Sequence, residues 1–440
     1  MVDQPYAVSA LNSNVPPSIM PSMSQRPIAG CSSNLVSIVS QSATQQAGGL
    51  IQINVPNQPN TYIKTGSSFL KMQVAVTITG TAGAEAVITG GNASGNWASL
   101  LLRATMSAGA NILEQINQYS YFDELLNLHA GSVGYYQQNM QELYGQKITV
   151  ANGAQNTTYK ITVCIPVSFG LLNNCEELHF PLGLLNSGLQ LIFDLQGDMN
   201  QAIYVPAVIG AGVTGVTYAV SSISFNYEAI KVPTEHFQSL RAEMAQTGSL
   251  YQIPYVSALN MSIASQATTD MTFGVGLSSL KGVFSTLKPA SAFKTQYLSK
   301  RAGMTQWRAL LDGQMVNQYS LPLINDSYNS DVEYYVDLNR ALGILGSTNR
   351  NSGANDLVGN LPALAGTANT TSGYVAKYFW TGLCTNKFSE HGLCYTGTAV
   401  SQLQIHGETI DTGAVNTMYL ILIYDSALFV NSQGDCSVNR

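Results

Sequence analysis

Charged side chains are scarce in this sequence. Asp, Glu, Lys and Arg together make up 10% of its 440 residues, whereas soluble proteins typically carry about 25%. A charge is costly to bury unless it is well paired, and the cores of protein interfaces are depleted in Lys, Glu and Asp but enriched in Tyr and Met. The 23 Tyr and 13 Met residues therefore favour a surface that other protein covers. A monomeric β-protein with a neutral polar coat is the alternative interpretation.

Clusters of positive charge are also lacking. The formal net charge is −6 at pH 7, and the densest basic group consists of Lys294, Lys300, Arg301 and Arg308. Binding along a nucleic acid requires many contacts between Lys or Arg and the phosphates. We therefore expect no direct, sequence-specific binding of nucleic acid.

Long apolar runs and an export signal are missing as well. No run of 18 apolar residues occurs, so we expect no membrane-spanning helix. No apolar segment of the kind found in secretory signal peptides precedes Arg26, the first basic residue. The sequence thus predicts synthesis and folding in the cytosol without a signal peptide.

Regular cysteine spacing is absent too, because no Cys-x-x-Cys pair occurs. The cysteines are predicted to be free thiols, which commonly act as small buried hydrophobic side chains. The six are Cys31, Cys164, Cys175, Cys384, Cys394 and Cys436.

The common catalytic and metal-binding motifs do not occur, neither G-x-S-x-G, the P-loop, H-E-x-x-H nor an EF-hand loop. The nearest approach to a metal set is Cys384, His391 and Cys394, with His406 as a fourth member. No pair among them has the regular spacing of a structural zinc site. We therefore predict no metal, no cofactor and no catalytic residues.

Paired acids and paired tyrosines have structural explanations. Glu176 and Glu177 would point to opposite faces of a strand, and Asp123-Glu124 lies near the predicted start of a helix, where carboxylates are favourable. Tyr135-Tyr136 and Tyr334-Tyr335 are predicted to serve in packing or subunit contacts rather than in stacking on sugars or bases. The sequence favours a protein that is not an enzyme, and leaves open only a pair of carboxylates from distant segments.

Hydrophobic periodicity predicts β-structure over most of the chain. In residues 68–79, Leu70, Met72, Val74, Val76 and Ile78 alternate with less apolar residues, as in a strand with one buried face. Similar patterns occur at 99–106, 111–116, 161–167, 189–195, 222–230 and 271–277, and residues 417–425 are apolar on both faces, as in a covered central strand.

Three short helices interrupt this pattern, at 119–129, 233–248 and 331–343. In the second, Thr234 is a candidate N-cap, and Phe237, Leu240 and Met244 recur at helical spacing before Gly248. This helix lies between two strand-rich regions, which suggests that it links two domains.

The resulting organisation is an N-terminal arm at 1–47, a β-domain at 48–232, a linker helix at 233–248 and a second β-domain at 249–440. The fold class is all-β, as two sandwiches or barrels in tandem. The jelly roll, with eight strands in two sheets, is one such solution. The Gly-, Asn-, Ser- and Thr-rich stretches 80–97 and 345–373 are predicted to be loops at the ends of strands.

Several motifs resemble those of one family when taken in order. They are SLLLRATMSAGANILEQINQYSYFDELL (99–126), FPLGLLNSGLQLIFDL (180–195), SLKGVFSTLK (279–288), QYSLPLINDSYNSDVEYYVDLNRALG (318–343) and YLILIYDSALFVNSQGDCSV (419–438). Together they resemble the double jelly-roll major capsid proteins of the tectivirus–adenovirus lineage, including the polinton- and virophage-like relatives. The resemblance spans roughly residues 50–440.

The resemblance implies a structural role in a virion. Three copies would form a pseudo-hexameric capsomer, and capsomers would tile an icosahedral shell that encloses the genome. Neighbouring capsomers, penton and minor capsid proteins are the implied partners, with membrane lipids as a further candidate because such shells often enclose a membrane. By the same analogy, loops 80–97 and 345–373 would face outward and the arm would contact neighbouring capsomers. A receptor- or carbohydrate-binding β-sandwich, such as a spike or lectin-like module, is the alternative function.

Overall fold

The computed structural model describes residues 31–92, 95–130, 146–173, 178–210, 212–265, 268–289, 304–316, 321–322, 338, 340–341, 380–385, 397–409 and 416–439. Several predicted features lie outside these residues, namely positions 1–30 of the arm, the stretch 345–373, both tyrosine pairs, the pair Glu176-Glu177, and most of the helix at 331–343. Of that helix, Leu338, Arg340 and Ala341 are described and are helical.

β-Strands make up most of the described chain, as predicted. The strands that precede residue 232 are β1 (Ser32–Val39), β2 (Thr44–Gln46), β3 (Leu50–Val55), β4 (Thr61–Ile63), β5 (Phe69–Gly80), β6 (Ala86–Gly90), β7 (Leu101–Ala108), β8 (Asn111–Asn117), β9 (Ile148–Val150), β10 (Thr158–Pro166), β11 (Leu189–Leu195), β12 (Ile203–Tyr204) and β13 (Val213–Lys231). Those that follow are β14 (Tyr251–Ser265), β15 (Thr268–Pro289), β16 (Met304–Leu311), β17 (Gln314–Met315), β18 (Leu321–Pro322), β19 (Thr381–Cys384), β20 (Thr398–Thr409), β21 (Asn416–Val430) and β22 (Cys436–Asn439).

The helices are short and connect the strands. The α-helices are α1 (Tyr119–Ala130), α2 (Gly170–Asn173), α3 (Met199–Ala202) and α4 (Thr234–Thr247), and 3₁₀ turns occur at Trp97–Leu100, Leu182–Leu184 and Ala207–Ile209.

The first sandwich consists of two antiparallel sheets. One has the strand order β1-β13-β5-β10 and the other β3-β11-β7-β8, and a small third sheet has the order β12-β6-β9. The alternation predicted for residues 68–79 is confirmed, because the apolar residues of β5 that point inward are buried to 0–1% exposure. Strand β11 alternates in the same way and pairs with β3 and β7 on its two sides.

The second sandwich repeats this order. Strand β14 pairs with β21, and β21 pairs with residues 280–289 of β15, which in turn pair with β19. Residues 268–280 of β15 pair with β20, β20 with β16, and β16 with β17. The long strand β15 thus takes the places of both β3 and β5. Each half of the chain therefore has eight strand positions with the same partners, the jelly-roll arrangement.

Strand β21 is central, as its two apolar faces predicted. Residues 418–428 of this strand are buried throughout, and its neighbours are β14 and β15. A strand covered on both faces has no solvated side, which explains the loss of alternation.

Helix α4 follows the first sandwich and precedes the second along the chain. Gly248 ends the helix in the left-handed conformation with φ 66°, as predicted. The predicted N-cap is wrong. Thr234 is the first helical residue, and Pro233 occupies the cap position without a side-chain hydrogen bond. The Thr234 hydroxyl instead accepts a hydrogen bond from Asn60 Nδ2 at 3.1 Å.

The prediction of a loop at 80–97 is wrong in part. Residues 86–90 form β6, and Ile88 and Trp97 are fully buried. A Cβ at Gly90 would lie 1.7 Å from the Asn96 carbonyl oxygen, and one at Gly91 2.1 Å from the Gln201 carbonyl oxygen. The glycines are therefore required for close packing of the backbone.

The domain boundaries stay a prediction. Strands β1 and β2 lie within the predicted arm 1–47, and both pair with β13 of the first sandwich. At least this part of the arm is continuous with the first sheet.

Candidate functional site at the seam between the two sandwiches

Strand β8 of the first sandwich lies against β14 of the second, and three side chains of β14 donate hydrogen bonds across this contact. Ser257 Oγ donates to Glu114 Oε1 at 2.7 Å, and the Tyr255 hydroxyl donates to the carbonyl oxygen of Leu113 at 3.2 Å. Asn260 Nδ2 donates to the carbonyl oxygen of Asn117. We call this contact, together with α2, the seam.

The carboxylate of Glu114 joins three elements. Besides Ser257, it accepts hydrogen bonds from the backbone N–H groups of Gly170 at 2.9 Å and Leu171 at 3.2 Å, at the start of α2. Glu114 is only 2% exposed. A buried carboxylate is stable only when hydrogen bonds replace its hydration. The three donors supply that replacement and fix β8, α2 and β14 to one another.

Gly170 allows the backbones of α2 and β14 to approach closely. A Cβ at this position would lie 2.1 Å from the carbonyl oxygen of Val256 and 2.9 Å from the ring of Tyr255. Any larger side chain would push the two sandwiches apart, so glycine is needed for the observed spacing.

The C-terminal turn makes a second connection between the sandwiches. The backbone N–H of Asn186 donates to the Gly434 carbonyl oxygen at 3.0 Å, and Asn111 Nδ2 donates to the Cys436 carbonyl oxygen at 2.9 Å. Gly434 has φ 87°, and a Cβ there would lie 2.6 Å from the backbone of Leu184 and Asn186. This turn therefore needs glycine for both its conformation and its contacts.

Two further buried acids lie on α1, at the positions predicted near its start. Asp123 Oδ2 accepts a hydrogen bond from Asn96 Nδ2 at 3.2 Å, and Glu124 Oε1 accepts one from Trp380 Nε1 at 3.3 Å. Both acids are at most 2% exposed, and neither lies in the first turn of the helix. Their role is therefore internal bonding rather than interaction with the helix dipole, and Glu124 adds a third link to the second half of the chain.

The acid at position 123 also affects its neighbour Tyr119. Burial, with a smaller effect of the nearby Asp123 charge, raises the pKa of Tyr119 above its usual value. The phenol donates to the carbonyl oxygen of Pro166 at 3.0 Å and accepts from the Ser168 N–H at 2.8 Å. Tyr119 is thus a neutral packing residue with a satisfied hydroxyl.

Comparison with known proteins gives matches among solved structures alone. No family model and no curated protein sequence matches the chain. Among solved structures, PBCV-1 VP54 fitted into a cryo-EM reconstruction of the virophage Sputnik aligns with a TM-score of 0.62 and 10% identity, over 95% of this chain and 98% of its own. The Faustovirus major capsid protein aligns with a TM-score of 0.59 and 9% identity, over 94% and 92%. The mavirus major capsid protein aligns with a TM-score of 0.55 and 12% identity, over 100% and 95%.

The chain has the double jelly-roll fold of viral major capsid proteins. The resemblance carried by the sequence motifs is confirmed at the level of the fold. Within the double jelly roll, 99–126 forms β7, β8 and α1, while 180–195 leads into β11 at the centre of its sheet. The segments 279–288 and 419–438 form the second part of β15 and the strands β21 and β22.

The double jelly roll places the two described members of the nearest metal set, Cys384 and His406, opposite different positions along β15. Cys384 pairs with Gly282 of β15, whereas His406 pairs with Asp270 of the same strand. These two positions on β15 are twelve residues apart and pair with two different strands, β19 and β20. His406 Nδ1 lies 2.5 Å from Asp270 Oδ1. His391 and Cys394 lie outside the described residues, and within the described ones no group of three His, Cys, Asp or Glu side chains could hold a metal ion.

Strand β1 presents the most exposed apolar side chains of the described surface. Leu35 and Val39 are each 70% exposed, while Val36 and Ile38 pack against the core. The strand reads SSNLVSIV, without charge or proline, and lies at the edge of its sheet. Natural edge strands are usually protected by charges, proline or bulges, so this edge has the character of a contact surface.

None of the helices in the described parts of the chain has the length and apolar character that crossing a membrane would require.

The sequence did not single out the seam residues. Glu114 is the single charged residue of the half-buried strand NILEQIN, and an isolated acid on such a strand is the signal that could have marked it. Its partner Ser257 is 143 residues away, a separation that no local pattern spans.

Proposed function

We propose that this protein is a viral major capsid protein. Three copies form a pseudo-hexameric capsomer, and capsomers tile an icosahedral shell that encloses the genome. The observation that carries the proposal is the repetition of one eight-stranded arrangement in both halves of the chain, in a fold shared with major capsid proteins over nearly their whole length.

The seam supports this function. A shell needs building blocks that keep their shape under load, and two sandwiches joined by a flexible linker would not. Here a buried carboxylate, backbone contacts at Gly170 and the C-terminal turn fix the sandwiches to each other. Each chain then contributes two similar blocks, so that three chains supply six positions around a ring.

The charge-poor surface also supports the proposed capsid function. Permanent assemblies bury on the order of 2,000–5,000 Å2 per interface and are more apolar than transient ones. A chain with 10% charged residues and an uncharged edge strand carrying exposed Leu35 and Val39 suits such burial.

The partners follow from this role. We infer that the protein binds copies of itself within and between capsomers, together with penton and minor capsid proteins, and that it lies over a membrane in shells that contain one. Its place is the virion, after synthesis in the host cell, and its function is structural rather than enzymatic.

The mass of the purified protein tests the proposal. A capsomer is expected to elute at about 141 kDa, three times the 47.0 kDa of one chain, and negative-stain images should show pseudo-hexagonal particles or shells. A stable 47.0 kDa monomer at high concentration that binds glycans would contradict it and favour the receptor- or carbohydrate-binding module.

A further inference from the structure

The two sandwiches present corresponding edges. Strand β1 in the first and β14 in the second each pair with a long strand late in their sandwich, β13 and β21 respectively. Strand β8 in the first and β17 in the second each form the outer strand of a hairpin, with β7 and β16. The seam within the chain therefore joins the hairpin strand of one sandwich to the first strand of the next.

The other strand of each pair, β1 in the first sandwich and β17 in the second, has no such contact within the described chain. On β14, the seam residues Tyr255, Ser257 and Asn260 are at most 5% exposed. On β1, Leu35 and Val39 are 70% exposed, and on β17 Met315 is 39% exposed. Strand β1 corresponds to the seam strand β14, and β17 corresponds to the seam strand β8. Both β1 and β17 are exposed, and both carry apolar side chains.

We propose that β1 of one copy docks against the β16–β17 hairpin of a neighbouring copy, in a contact that repeats the seam. The first-to-second sandwich contact inside each chain and the second-to-first contact between chains then alternate around a ring. Because this contact joins two different surfaces, it is heterologous, and such contacts close into a ring when the rotation allows. The inference rests on the proposed function and adds to it the strands that hold the copies together.

The lack of charge on β1 suits a second copy of this chain as its partner. The β1 strand has no ionic side chain. In the facing hairpin, the carboxylate of Asp312 is already engaged by the backbone N–H groups of Ser401 and Gln402, at 2.8–3.2 Å. The hairpin also carries Arg308, which is only partly exposed. An uncharged, half-apolar strand fits another surface of this charge-poor chain better than a phosphate-rich or anionic lipid surface, which calls for Lys and Arg.

Cross-linking between two differently tagged variants tests the contact. One chain carries Leu35→Cys and the other Met315→Cys, both with Cys31→Ser because Cys31 is exposed. The two are co-expressed and treated with a flexible bis-maleimide reagent. A cross-linked band that contains both tags is expected from this pair. The matched control replaces Met315→Cys by Val208→Cys, a site 61% exposed and outside β1 and the hairpin, and should give at most a tenth of that band.

A charge substitution provides the second measurement. Leu35→Arg is expected to convert the oligomer to single chains, whereas Val208→Arg should leave the mass unchanged. The circular dichroism spectrum of Leu35→Arg should match that of the unmodified protein, because the Leu35 side chain is exposed within a single copy and its replacement leaves the fold of that copy intact.

The outcomes separate this inference from the proposed function. If the protein is trimeric but Leu35→Arg stays trimeric and the mixed cross-link does not form, the contact is wrong while the capsid function stands. Cross-links between two Leu35→Cys chains would show edge-to-edge pairing of β1 and would also overturn it. If the unmodified protein is a monomer at all concentrations, the proposed function itself fails.

Discussion

The hydroxyl of Ser257 donates a 2.7 Å hydrogen bond to Oε1 of Glu114, so that a side chain of the second sandwich binds the single, buried acid of β8 in the first. This hydrogen bond joins residues 143 positions apart in the sequence. One carboxylate therefore contributes to the rigidity of the two-sandwich block alongside the other seam contacts, and the first prediction follows from it.

Replacing Glu114 by Ala should destabilise the protein strongly. The substitution leaves the N–H groups of Gly170 and Leu171 and the Ser257 hydroxyl without their buried acceptor, at a cost of roughly 2–5 kcal/mol. Ser257→Ala, which removes one donor and leaves two in place, should cost about 1–2 kcal/mol. Chemical denaturation followed by tryptophan fluorescence measures both. Similar midpoints for Glu114→Ala and the unmodified protein would show that the seam does not limit stability.

Replacing Gly170 by Ala should also weaken the seam. The added methyl would lie 2.1 Å from the Val256 carbonyl oxygen, and overpacking of this kind typically costs about 1–3 kcal/mol. Gly274→Ala is the control, because a Cβ at that position of β15 meets nothing within 4 Å. The melting temperature should fall for Gly170→Ala and stay within about 1 °C for the control. Equal shifts in the two variants would argue against the close approach of α2 and β14.

Acid should loosen β1 before it affects the rest of the first sandwich. Hydrogen bonds from Lys64, 2.6 Å away, and from Ser33 of β1 lower the pKa of Glu228 below its usual value. Because the folded-state pKa is the lower one, this stabilisation is fully present above the unfolded-state pKa of about 4.3 and is lost as pH falls through the folded-state value.

Hydrogen exchange measures this effect through protection factors, which correct for the intrinsic pH dependence of exchange. Protection of residues 32–39 should decrease between pH 5 and pH 3, while β11 keeps its protection. Glu228→Gln should show the lower protection of 32–39 already at pH 7 and little further change in acid. A pH-independent protection of β1 in the unmodified protein would contradict the prediction.

The thiols should differ in reactivity. Cys31 is exposed, whereas Cys436 is buried, and burial, together with the Asp435 charge, raises the pKa of its thiol. The thiolate is the reactive form, so iodoacetamide at pH 7.5 should modify Cys31 at least about tenfold faster than Cys436. Peptide mass spectrometry resolves the individual sites, and denaturation should abolish the difference. Comparable rates in the folded protein would show that the C-terminal strand β22 opens readily.

The strands were predictable because their signal is local. In β5 the buried residues Leu70, Met72 and Val74 alternate along the sequence, and the loss of alternation in β21 marked a strand covered on both faces. The seam was not predictable in the same way. Its hydrogen bonds connect β8 and α2 with β14, and their acceptors include backbone oxygens that any sequence would supply.

The error at 80–97 has a related physical cause. A stretch rich in Gly, Asn, Ser and Thr is typical of loops. Glycine, however, also permits two backbone segments to approach so closely that no space remains for a Cβ atom. Gly90 and Gly91 serve the second purpose, where Asn96 and Gln201 approach their backbones. Composition alone does not distinguish the two uses.

Several seam and turn contacts end on main-chain atoms: the carbonyl oxygens of Leu113, Asn117 and Cys436, and the amide of Gly170. Those groups persist through almost any replacement of the residues that carry them. Apart from Glu114, the side-chain donors and the close-packed glycines, a junction of this type makes few demands on side-chain identity, so much of the polypeptide can change in evolution while the architecture endures. The 9–12% identity at which the fold is shared with viral major capsid proteins is in keeping with such tolerance.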